Sequence, residues 1–299
     1  MIATQPRTPP IVLAFAAADP TGGAGLQAGV FTPARLGGHP LSVVTAVTVQ
    51  DTAGVEGLAP VDADWVADQA RALLEDMPVA AFKIGLLGSV EATAAIAEIL
   101  ADFPALPVVL DPVLASGRGD ALADEEMIEA LVDLLLPQTT LLTPNSLEAR
   151  RLAQALSDDD DDALADAATN ETANMTEASF GLTSCARQLI DGGCEYVLLT
   201  GTHEETPQVI NTLYGSHGVV SAQRWPRLPG SYHGSGCTLA SAVAAHLAMG
   251  HDVADAVARA QEYTWHTLAA GFRPGMGQFI PDRLFRLREF HLHTAARNA

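Results

Sequence analysis

The amino-acid sequence predicts an α/β protein, with a mostly parallel central sheet covered on both faces and a small β-hairpin appended at one edge. Three observations carry this expectation. Apolar runs of strand length alternate with amphipathic helical stretches for most of the chain, the signature of a parallel sheet buried on both sides. Between Gln208 and Trp225 the pattern changes to alternation, with Gly215-Ser-His-Gly218 as a turn, which reads as an antiparallel hairpin. The chain's 299 residues, 48% of them hydrophobic, suffice for one large core and a single domain spanning 1–299.

The predicted strands are Ile11–Ala17, Leu41–Val49, Ala80–Ile84, Pro107–Leu110, Thr140–Leu142 and Glu195–Leu199. Each is short, apolar and followed by turn-forming residues. The predicted helices are Leu26–Leu36, Ala63–Leu74, Ser89–Leu100, Asp124–Leu135, Ser146–Ala155 and Ser179–Ile190, with Cys237–Met249 and Val253–Ala270 following the hairpin. Residues 157–177 interrupt the pattern and open with five consecutive aspartates, Asp158 to Asp162. Like charges this dense repel one another, so the stretch is expected to be a solvated, flexible insertion. In a doubly wound sheet, ligands are expected at the carboxyl ends of the parallel strands.

Composition excludes several function classes. A net charge of -20 argues against the phosphate backbone of nucleic acid and against an anionic membrane surface. Cys185, Cys194 and Cys237 form no C-x-x-C pair and no metal-ligand spacing, as in a reducing, cytoplasmic compartment. The apolar run Ile11–Ala18 is too short to span a bilayer. The histidines show no zinc-binding spacing.

His233-Gly-Ser-Gly-Cys-Thr238, followed by the small-residue run Leu239 to Ala245, is the most informative segment. Gly234 and Gly236 let successive amides turn toward one point, and a helix beginning there directs its dipole at the same point. Ser235 and Cys237 complete this anion nest, and the first-turn position is expected to lower the Cys237 thiol pKa. Such a nest suits phosphoryl transfer; an ordinary glycine turn before a packing helix is the alternative. Asp19-Pro-Thr-Gly-Gly-Ala-Gly25 also joins a strand to a helix without the order of a Walker or dinucleotide loop. It reads as a ligand-approach loop or as a tight turn. Asp111-Pro-Val113 and Thr143-Pro-Asn-Ser-Leu-Glu148 place Asp111 and Glu148 at strand ends. There an oxygen-ligated Mg²⁺ would bridge protein and polyphosphate, although Asp111 also suits a plain turn and Glu148 a plain helix start.

Taken in order, these segments, with Val47-Thr-Val-Gln-Asp-Thr52 and Lys83-Ile-Gly-Leu-Leu87, resemble the hydroxymethylpyrimidine/phosphomethylpyrimidine kinases of thiamine biosynthesis. The likeness runs from Ile11 to about Arg283, apart from the acidic insertion. It implies a ribokinase-like three-layer αβα sandwich, ATP and Mg²⁺ as cofactors, and a small hydroxymethylpyrimidine or similar aromatic alcohol as substrate. It also implies a homodimer. By the same resemblance, Gly234, Ser235, Gly236 and Cys237 are catalytic, with Cys237 the base for the hydroxymethyl group. Gln50, Gly22, Gly23, Gly25, Asp19 and Leu86 form the substrate site. Asn145, Thr200 and His203 face the nucleotide, and Glu148, with Asp111 behind it, organises the metal.

Several departures from the family pattern bear on substrate and rate. Gly29 stands where the family has an aspartate that meets the pyrimidine amino group, and Leu86 stands in place of a methionine. Thr200-Gly-Thr-His203 replaces a lysine-bearing nucleotide motif, and Arg118 stands near a second missing lysine. These leave two alternatives open: a pyridoxal or pyridoxine kinase-like enzyme acting on another aromatic alcohol, or a catalytically weak ligand-binding paralogue. Lys83 is the only lysine; a structural or pocket-edge position accounts for it, and no role is assigned.

Overall fold

A computed structural model describes residues 8–158 and 177–287. The predicted architecture is present. One nine-stranded sheet runs in the order β3-β2-β1-β4-β5-β6-β7-β8-β9. Its parallel centre comprises β2 (His39–Gln50), β1 (Ile11–Ala18), β4 (Val79–Ile84), β5 (Val108–Leu110), β6 (Leu141–Leu142) and β7 (Tyr196–Leu199). The hairpin of β8 (Gln208–Gly215) and β9 (Gly218–Pro226) adds to the β7 edge antiparallel, as the alternating sequence predicts. Most of the acidic insertion, residues 159–176, lies outside the described residues.

The opposite edge differs from expectation. β3 (Val55–Pro60) pairs antiparallel with β2, yet its Val-Glu-Gly-Leu-Ala-Pro sequence carries neither an apolar run nor a clean alternation. Its formation follows from pairing with β2, which continues past the end of β1. The helix expected over Asp124–Leu135 is also remodelled. Regular α-helix covers only α4 (Glu125–Ala130), followed by a wider π turn at Leu131–Leu135.

Period-two alternation distributes the central strands between two layers of helices. Ile11, Leu13 and Phe15 of β1 face a core shared with α2 (Ala63–Asp76), α3 (Val90–Ala101), α4, α5 (Ser146–Asp158) and α6 (Glu177–Asp191). Val12, Val109 and Leu198 face the other layer, built on α7 (Ser235–Ala248) and α8 (Val253–Ala269). Ala14 and Ala16 meet α1 (Gly25–Leu36) through Leu26. Among the described residues, no helix is long and apolar enough to cross a membrane.

Small residues set how closely α1 approaches the sheet. A Cβ at Gly29 would lie 3.0 Å from the Ala14 Cβ, so position 29 is buried against β1 rather than open to a ligand. A side chain here would have to displace the Ala14 contact before its carboxylate could meet a substrate amine. Gly29→Asp is therefore expected to destabilise the fold by roughly 1–3 kcal/mol from overpacking alone, with desolvation of the acid adding to it. Thermal unfolding of the variant checks this; an unchanged melting temperature would contradict the packing argument.

Candidate active site

Two glycine loops meet at the carboxyl edge of the sheet. The first, Asp19–Gly25, leads from β1 into α1; the second, His233–Cys237, opens α7. Gly234 has φ +83°, and a Cβ there would sit 1.8 Å from the Gly23 carbonyl oxygen. A Cβ on Gly23 would fall 2.3 Å from the His233 ring. Only glycine permits this contact, because any side chain would separate the loops.

Asp19 builds the first loop. Its carboxylate accepts from the Thr21 amide and hydroxyl, both at 2.8 Å, and from the Ala24 amide at 2.6 Å. The fourth contact, 2.8 Å to His233 Nε2, ties it to the second loop. Burial alone would raise its carboxyl pKa, but the bonds and charge from His233, with the bonds from Thr21, hold it below the ordinary value. Asp19, expected in the substrate site, is engaged in shaping the loop.

The helix starts facing this junction lack the side-chain caps found elsewhere. Ser89, Asp62, Asp124 and Asp252 cap α3, α2, α4 and α8, whereas α1 and α7 have no side-chain cap. Amides left without an internal acceptor at a helix start are suited to an anion. At the start of α7, Ser235 is half-buried and Gly236 exposed, so the nest opens to solvent.

Behind the nest lies a buried ion pair that sequence reasoning did not assign. Lys83 is fully buried at 0% exposure, and its Nζ lies 3.1 Å from Asp111 Oδ2. Burial would lower the ammonium pKa, but the charge and hydrogen bond of Asp111, with the Cys237 sulfur beside them, hold Lys83 above its ordinary value. A lone lysine at the end of an apolar strand was the available signal; its partner, 28 residues away, was not visible.

Cys237 is only partly covered and touches this pair. Burial, reinforced by the charge and hydrogen bond of Asp111, pushes the thiol up to about 12, against the opposing charge of Lys83 and a Gly25 amide contact. The expected lowering at a helix start is thus reversed: burial, with a carboxylate beside the sulfur, outweighs the helix dipole.

Glu148 and Asn145 form a reciprocal cap on α5. The Asn145 amide donates to Glu148 Oε2 at 2.9 Å and the Glu148 amide to Asn145 Oδ1 at 3.0 Å, as in a capping box. Glu148 also faces Asp111. Burial, with the Asp111 charge adding to it, raises its carboxyl to about 8 despite amide bonds from Asn145 and Leu114. Two carboxylates pressed together in this way fit a divalent cation, and Mg²⁺ commonly takes one or two carboxylates plus water and phosphate. Among the described residues, no group of three or more acidic, histidine or cysteine side chains could hold a metal by itself.

The other predicted residues spread along the same edge. Gln50, at the end of β2, donates to Thr48 Oγ1 at 2.7 Å, and Thr48 bonds the Ala18 carbonyl. Leu86 is half-buried, and its carbonyl accepts from Ala17 and Thr45. Gly22 and Gly25 hold positive φ in the first loop. Thr200 bridges to Asn145, while His203 is exposed in the following turn. Arg118 does not replace the missing lysine: it forks onto Asp120 of its own loop, with Nη2 2.7 Å from Oδ1.

The phosphomethylpyrimidine kinase family profile matches residues 19–282, a span that includes both glycine loops and the Lys83–Asp111 pair. The chain belongs to the phosphomethylpyrimidine kinase family. It is 38% identical over 278 residues to a hydroxymethylpyrimidine/phosphomethylpyrimidine kinase of Streptomyces coelicolor, covering 92% of this chain and 94% of that relative. The phosphomethylpyrimidine kinase of Clostridium difficile superposes with a TM-score of 0.68 at 28% identity, over 85% of this chain and 97% of the other. Pyridoxal kinase from Staphylococcus aureus, in complex with AMP-PCP and pyridoxal, gives a TM-score of 0.75 at 25% identity over 91% and 93%. These likenesses agree with the ribokinase-like fold expected from the motif order.

The raised Glu148 pKa has a consequence for stability. With a folded value near 8 against an ordinary 4.5, its contribution is full below 4.5 and lost as pH rises through 8. The slope between these values approaches about 1.4 kcal/mol per pH unit. Without divalent cations, Glu148→Gln should therefore gain in melting temperature relative to the parent as pH rises from 5 to 9. A constant difference across that range would contradict the assigned environment.

Proposed function

We propose that this chain is an ATP-dependent kinase of thiamine biosynthesis that phosphorylates 4-amino-5-hydroxymethyl-2-methylpyrimidine and the monophosphate formed from it. The observation that carries this reading is the uncapped, solvent-open start of α7 with Cys237 and the Lys83–Asp111 pair directly behind it. Membership of the family supplies the substrate class.

Mg²⁺, held by Glu148 with Asp111 behind it, would supply positive charge against the polyphosphate. The chain's own residues account for the remaining steps. The Gly234–Cys237 amides receive the charge that develops on the transferring phosphoryl group. Cys237 is protonated at neutral pH and lies beside Asp111. We place proton transfer late, as a loose phosphoryl transition state allows. The sulfur takes the alcohol proton while its own proton passes to Asp111. The alcohol oxygen bonds to the γ-phosphorus, and the bond from that phosphorus to the departing ADP oxygen breaks. For the second phosphorylation the attacking phosphate oxygen is already anionic and needs no base. Thr200 and His203 line the nucleotide side, and Gln50, Leu86 and the Gly22–Gly25 loop the pyrimidine side.

ADP release measured with the pyrimidine alcohol, its monophosphate and pyridoxal tests the assignment. Turnover of the first two is expected; turnover of pyridoxal alone would transfer the reading to a pyridoxal kinase, and binding without turnover would sink the enzymatic role. Cys237→Ala should lower kcat on the alcohol by about 10²–10⁴-fold and leave the monophosphate reaction nearly intact.

We also assign the protein to the cytoplasm as a homodimer. Val47, opposite the last residue of β1, and Val49, just beyond it, stand 50% and 64% exposed on β2, an apolar strip suited to a second copy. Sedimentation equilibrium should give twice the chain mass, and Val49→Lys should shift it toward the monomer; a monomeric parent at micromolar concentration would refute the pairing.

A further inference from the structure

One side chain grips both glycine loops. Arg283 lies within a segment that packs on α8 and is 4% exposed. Its Nη1 donates to the Gly22 carbonyl at 3.1 Å and its Nη2 to the Gly23 carbonyl at 2.5 Å. Nε and Nη2 both reach Thr238 Oγ1, at 3.0 and 2.8 Å. That hydroxyl in turn donates to the Gly234 carbonyl at 2.7 Å, and Nη2 lies 3.5 Å from the same oxygen.

The arginine is itself anchored. Tyr263 Oη donates to its carbonyl at 3.0 Å, and the neighbouring Asp282 amide donates to the Thr267 carbonyl at 2.9 Å. Both partners belong to α8. A rigid helix therefore holds a guanidinium whose fork reaches the substrate loop on one side and the first turn of α7 on the other. Lysine, with a single ammonium, cannot span these acceptors in one plane.

The charge is as informative as the fork. Among the described residues, Arg283 makes no ion pair within 4 Å. A buried guanidinium bonded mainly to neutral carbonyls costs stability unless an anion completes it. The charge of Asp19 in the first loop acts on it, and the anionic ligand expected at the uncapped start of α7 would add a second negative charge. In a chain of net charge -20, a fixed cation behind the nest also offsets repulsion of a polyphosphate.

We propose that Arg283 is a positioning residue for phosphoryl transfer, locking the Asp19–Gly25 loop to the Gly234–Cys237 nest and lending the nest a fixed positive charge. This rests on the kinase reading of the site, although not on which alcohol is the substrate. Misplacing a reactant by about 1 Å typically lowers rate by about 10²-fold. Arg283→Met is accordingly expected to lower kcat by about that factor, with the KM for ATP changing far less. Arg283→Lys, which keeps the charge and loses the fork, should fall between Arg283→Met and the parent. Thr238→Val, nearly isosteric and lacking the shared hydroxyl, should show a smaller drop of the same kind.

The measurements are kcat and KM for pyrimidine phosphorylation and the rate of ATP hydrolysis to water, all well below each variant's melting temperature. A variant with a lowered melting temperature and a kcat within twofold of the parent would overturn the proposal and leave Arg283 as scaffolding only. Should Arg283→Met fail to fold, Arg283→Lys and Thr238→Val decide by the same criterion. Absence of pyrimidine turnover in the parent would refute the substrate reading, while the variant-to-parent ratio of ATP hydrolysis still reports on loop locking.

Discussion

The active site depends on the 3.1 Å contact between Lys83 and Asp111. Both side chains are removed from water, so neither charge is tolerable without the other. Their pairing lets the carboxyl edge of a hydrophobic sheet carry a carboxylate beside a helix start. Burial is the main cause of the raised Cys237 thiol and Glu148 carboxyl, and that carboxylate adds to both. A site built in this way favours the protonated thiol of Cys237 and the protonated carboxyl of Glu148 at neutral pH.

Glycine and arginine do complementary work around this pair. Gly23 and Gly234 bring two loops into backbone contact that no Cβ would allow, while Asp19, His233 and Arg283 hold the contact closed. The uncapped starts of α1 and α7 are the counterpart of that closure. α2, α3, α4 and α8 satisfy their first amides with side chains, as α5 does through Asn145, whereas α1 and α7 have no such cap and can offer amides to a ligand.

Much of this was legible in the residues. The parallel centre, the β8–β9 hairpin and the nest at Gly234–Cys237 follow from apolar runs, alternation and glycine spacing. β3 was not legible, because a short edge strand containing glycine and proline takes its conformation from its partner. Asp19, Asn145 and Glu148 were correctly placed at the carboxyl edge, yet their carboxylate and amide groups prove to be engaged in loop and helix-cap bonds as well.

By itself the sequence determined the layered α/β plan, the order of the motifs and the residue types available at the strand ends, because each depends on local periodicity and local backbone freedom. Only the tertiary structure decided which charges share a solvent-free space. Lys83 meets Asp111 across 28 residues, and Arg283 meets Gly22 across 261. Electrostatic shifts depend on such distances and on burial, so the direction of the Cys237 shift could be read only once the chain had folded.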